Sequence, residues 1–100
     1  MLRLKEIYST NVRYESTQEP GKTQMQRKKA YDRRDCMINK DYVVAIYPHY
    51  FESSSDRNML GDNFTGKEQF SRIILDTNSF RNSEMIVAIS YQKLSRLLEE

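Results

Sequence analysis

Six consecutive residues, Tyr42-Val43-Val44-Ala45-Ile46-Tyr47, are β-branched, aromatic or small and apolar, and Pro48 follows them. Side chains of this kind fit a pleated strand, and a run of this length is too short to argue for a helix. Both alternating faces are apolar, so the segment is expected at the centre of a sheet with cover on each side, ending at Pro48. A fold for this chain has to be organised around that strand.

The other apolar segments are shorter and fall into place around it. Leu2, Leu4 and Tyr8, then Val12 and Tyr14, recur at strand spacing and predict an opening strand or a loose hairpin. From Glu15 to Lys29 the one apolar side chain is Met25, and Pro20-Gly21 is a turn signal, so a long exposed loop is expected, running on to Arg34. Cys36 and Ile38 share a face if extended, and Asn39-Lys40-Asp41 supplies turn chemistry. A second long loop is expected over 49–68, with a turn of helix around Asn58-Met59-Leu60. Phe70 to Leu75 and Met85 to Ile89 read as two strands of an antiparallel hairpin, because a parallel crossover needs a dozen or more connecting residues. Ser90 is a good N-cap for a closing helix with Tyr91, Leu94, Leu97 and Leu98 on one face. The expected fold is α+β, mainly β: one domain over 1–100, an antiparallel sheet of four to five strands, one C-terminal helix and two long loops.

Composition sets the limits of that fold. At 100 residues with a mean hydropathy of −0.80, roughly 65% of the unfolded surface can be buried. The core is therefore thin, and self-association through the C-terminal helix or a sheet edge would help it. Cys36 is the sole cysteine, so no internal disulfide forms and a reducing compartment fits best. Met1 to Glu6 alternates apolar and charged residues and does not read as a secretory signal. No apolar run approaches the ~20 residues of a membrane span. A soluble, cytoplasmic protein is expected.

Charge is nearly balanced overall at +2, but residues 22–34 hold six basic side chains against one acidic. Within that stretch Arg27, Lys28, Lys29, Arg33 and Arg34 offer cations for phosphates, and Tyr31 offers a stacking surface. Asp32 weakens the pattern, and a solvated loop that keeps the chain soluble explains the same charges. Phe80 and Arg81, at the tip of the long hairpin, read either as a contact point for a macromolecular partner or as a Phe folded back over its own core. His49, the sole histidine, and Cys36 could be cast as base and nucleophile, but Cys36 holds a strand position suited to a small buried hydrophobe. Asp32, Asp35, Asp41 and Asp76 lack the spacing of a calcium loop, and the three glycines are scattered, so neither a metal, a nucleotide nor another cofactor is expected.

The order Cys36-Met37-Ile38-Asn39-Lys40-Asp41-Tyr42-Val43-Val44-Ala45-Ile46, then Ser71-Arg72-Ile73-Ile74-Leu75, then Met85-Ile86-Val87-Ala88-Ile89-Ser90, then Leu94-Ser95-Arg96-Leu97-Leu98, resembles small accessory proteins of tailed bacteriophages and, more loosely, the short FlbD-like flagellar regulators. The resemblance covers about half the chain, roughly 36–47 and 70–98. It implies a small β-rich accessory protein without catalysis, acting in a bacterial cytoplasm, and carries over no site residues. The expected function is non-enzymatic binding of a macromolecule, protein or nucleic acid, by the long loops. The alternative is a nucleic-acid-binding regulator that uses residues 22–34.

Overall fold

A computed structural model describes residues 1–19, 22–61, 64–76 and 83–100, with the backbone alone for 12–19, 22–28 and 54. The chain opens with two long strands, β1 (Leu2–Glu19) and β2 (Lys22–Ile38). They pair antiparallel from Leu2↔Ile38 to Thr17↔Thr23, with a register shift before Glu19↔Lys22. The loop expected over 15–34 is thus mostly the far end of a β-hairpin. Its joining residues, Pro20 and Gly21, lie outside the described residues. The misreading has a physical cause. A strand shows apolar alternation only where it has a face to bury, and beyond Ile7 the only strand partner of β1 among the described residues is β2.

Asn39 then caps a 3₁₀ turn over Lys40–Tyr42, its side-chain oxygen accepting from the Asp41 N–H at 3.0 Å. The remaining elements are β3 (Val43–His49), α1 (Ser54–Leu60), β4 (Phe70–Leu75), β5 (Ser83–Val87) and α2 (Tyr91–Glu99). The sheet order is β2-β1-β5-β4-β3, and each pairing is antiparallel. The α+β, mainly β architecture, the β4–β5 hairpin and the C-terminal helix are therefore as the sequence implies, although β5 runs Ser83–Val87 and not Met85 to Ile89. Ser90 caps α2, accepting from the Lys93 N–H at 3.2 Å. The helix foreseen near Leu60 is longer than a single turn, because Ser53, in a serine run that reads as loop, accepts from the Asp56 N–H at 3.0 Å and starts α1.

The apolar strand β3 is not central. It is an edge strand paired to β4 alone. A register shift between Val43 and Ala45 takes Val44 out of the pairing, and Val44 is 59% exposed. Pro48 lies within the strand, opposite Ser71, which is tolerable on an edge because no second neighbour requires its missing N–H.

Two layers cover the sheet. On one face Leu94 of α2 is fully buried with Ile73 and Val87, and Leu2, Leu4 and Ile38 complete the cluster. Buried Ser71 is satisfied there by donating from Oγ to the Ile89 carbonyl at 2.7 Å. On the other face Ile7, Phe64 and Phe70 are buried beneath Phe51 and Leu60. The molecule measures 59 × 31 × 22 Å with a radius of gyration of 17.0 Å, against about 13 Å for a compact chain of this length. The long β1–β2 hairpin accounts for the elongation.

Candidate nucleic-acid interface

The register of the hairpin decides which cations meet. Arg27 stands opposite Arg13, Lys28 opposite Val12 and Lys29 opposite Asn11. Three adjacent rungs therefore carry four basic residues and no acidic one, with Arg13, Arg27 and Lys29 at register positions of one face and Lys28 at one of the other. Arg13 lies outside the basic run and joins it only through pairing, so composition could not have identified it. Like charges directly opposed on paired strands repel, and an anion placed between them relieves the repulsion.

Nearer the sheet, the other basic residues are engaged within the chain. The Arg33 guanidinium lies 5.0 Å from the centre of the Phe64 ring, capping the aromatic layer. Arg34 donates from Nε to Glu6 at 2.7 Å and sits 4.5 Å from the Tyr8 ring centre. Lys5 pairs with Asp35 in the next rung. Adjacent residues of a strand point to opposite faces, so Arg33 and Arg34 do not form one patch. Lys29 is exposed.

Tyr31 is not an open stacking surface. Its hydroxyl donates to Asp56 of α1 at 3.3 Å, and its ring centre is 5.1 Å from that of Phe51. Burial, followed by the Asp56 carboxylate, raises the phenol above its ordinary pKa. Tyr31 therefore fastens α1 to the root of the hairpin. Asp32, whose carboxylate accepts from the Arg33 N–H at 2.8 Å, shapes the local backbone. Phe80 and Arg81 lie outside the described residues.

The other candidate chemistry is kept apart by topology. Cys36, on β2, packs on the α2-side cluster, whereas His49, on β3, packs on Phe51 of the cluster on the other face, so the sheet lies between them. Cys36 is partly buried against the α2-side cluster, and burial is the main cause that raises its thiol pKa, so the thiol form is favoured. His49 packs edge-on to Phe51, 4.7 Å between ring centres. Among the described residues no three His, Cys, Asp or Glu side chains gather as a metal site, and no described helix is long and apolar enough to cross a membrane. The chain matches no known protein family, no characterised protein and no solved structure.

Proposed function

We propose that this chain is a non-catalytic accessory protein that binds nucleic acid, holding the phosphate backbone with the cationic rungs of the β1–β2 hairpin. The observation that carries the reading is the pairing of Arg13 with Arg27 beside Lys28 and Lys29. A projecting two-stranded ribbon suits this role, because it carries its charges away from the core, where the phosphates of a nucleic-acid strand can reach them. A like-charged rung far from the core gives the fold nothing, whereas phosphates turn it into an asset. The resemblance to phage accessory proteins agrees with such a role in a host cytoplasm.

The test is salt-dependent binding. The unaltered chain should bind a generic oligonucleotide at low salt, with affinity falling steeply as ionic strength rises. Substituting Arg13, Arg27 and Lys29 together by Gln should flatten the logarithmic salt slope by about 2 to 3, close to one for each phosphate no longer neutralised. Absence of binding by the unaltered chain in low salt would refute the proposal.

A further inference from the structure

A cleft of about 510 Å³ opens where the end of β3, α1 and the start of α2 converge. Its floor is aromatic: Phe51 and Phe70 meet edge to face at 4.9 Å and 83°, and the His49 ring stands against Phe51 at 80°. Tyr50, 69% exposed, and Tyr91, 39% exposed, also line it. Gln69 and Gln92 add two amide side chains to the lining.

The cleft and the hairpin differ in chemistry. The Glu68 carboxylate beside the cleft is already held by the Thr65 and Gly66 N–H groups, at 2.7 and 3.0 Å. Arg57 and Glu52, also on the lining, balance one another in charge. Nothing in this lining selects a polyanion. A lining of aromatic rings with two amide side chains among them suits a flat heterocycle with hydrogen-bonding edges. The volume falls within the range of small-molecule sites. The cleft also adjoins the hairpin root, since Phe51 in its floor packs on Tyr31 of β2. Arg27 is four residues further along that strand, about 13 Å away.

We infer that the cleft binds a single unstacked nucleobase, so that the protein takes single-stranded nucleic acid with the base in the cleft and the phosphates on the hairpin. The inference rests on nucleic acid as the ligand class proposed above, and its test separates the two sites. Adenosine and uridine carry no phosphate and report on the cleft alone. Titrated into the full chain, one or both should shift the ring-proton NMR signals of Tyr50 and Tyr91. Tyr50→Ala with Tyr91→Ala should remove that binding and lower affinity for a single-stranded oligonucleotide about tenfold, while duplex affinity stays unchanged. Both tyrosines are exposed, so the double variant should keep its fold, which thermal melting checks directly. Unmoved tyrosine signals, or equal single-strand affinity in the double variant, would overturn the cleft assignment even if salt-dependent binding persists. Nucleoside shifts without salt-dependent oligonucleotide binding would support the cleft and overturn the hairpin reading.

Discussion

The two ends of the β1–β2 hairpin share one ladder and little else. At the root, Leu2↔Ile38 and Leu4↔Cys36 lie under α2, and Ile7 lies under the aromatic layer. Toward the far end the rungs are Val12↔Lys28, Arg13↔Arg27 and Tyr14↔Gln26, and the ladder continues through Glu15↔Met25 to Thr17↔Thr23 and Glu19↔Lys22. The root is held by buried surface and the far end by backbone hydrogen bonding that continues the root's register. An isolated two-stranded hairpin is marginal in water, so the far end depends on the root, while the root owes the far end very little. That asymmetry frees the choice of distal residues from the demands of the core, so their charge can serve a ligand.

The comparison breaks most visibly if the root is damaged. Leu94→Ala empties the fully buried position of α2 against Ile73 and Val87 and should cost about 2 to 5 kcal/mol. Thermal melting should show the whole chain losing stability, whereas a loss confined to α2 would mean that helix and sheet are not one cooperative unit.

A smaller effect should come from alkali. Tyr31 and Cys36, both at the root, have pKa values raised chiefly by burial. The unfolded chain therefore ionises at lower pH than the folded one. Their stabilising contribution is complete below the unfolded values and is lost as pH rises through the folded ones, on the alkaline side. Melting temperature followed from pH 7 to 11 should fall at the alkaline end, and Tyr31→Phe should make that fall shallower. An unchanged profile in the Phe variant would sever the link between Tyr31 burial and the stability of the root.

The smallest expected change sharpens the comparison from the other side. Arg13→Gln with Arg27→Gln removes a like-charged rung and should alter stability by no more than about 0.5 kcal/mol, in the stabilising direction. Denaturant unfolding measures this. A loss of several kcal/mol would mean that the distal rungs are part of the core and not a free binding element.

Legibility in the sequence followed burial closely. β4, β5 and α2 announced themselves because Ile73, Val87 and Leu94 are fully buried, and burial is what imposes hydrophobic period. The Ser90 cap was equally plain, since a cap is a local hydrogen bond between near neighbours. The hairpin beyond Tyr14 left no such trace, because polar strands and polar loops have the same composition. β3 misled in the opposite direction. Its apolar run is real, but the register shift at Val44 and the one-sided pairing of an edge strand leave part of it in water. Of the proposed interface, Arg27, Lys28 and Lys29 were visible as a charge run and Arg13 was not. The cleft residues Tyr50 and Tyr91 are 41 positions apart in sequence, and nothing local pairs them.

The sequence by itself determined the local matters: strand and helix type where a face is buried, the Ser90 cap, and the concentration of positive charge in 22–34. These depend on side chains within a few residues of each other, where spacing is physical distance. Tertiary structure alone decided which strand holds the edge, that the polar stretch is a ladder, that Arg13 meets Arg27, and that an aromatic cleft forms at the hairpin root. Each of those depends on pairing between distant segments, and that pairing is set by the total surface the whole chain can bury.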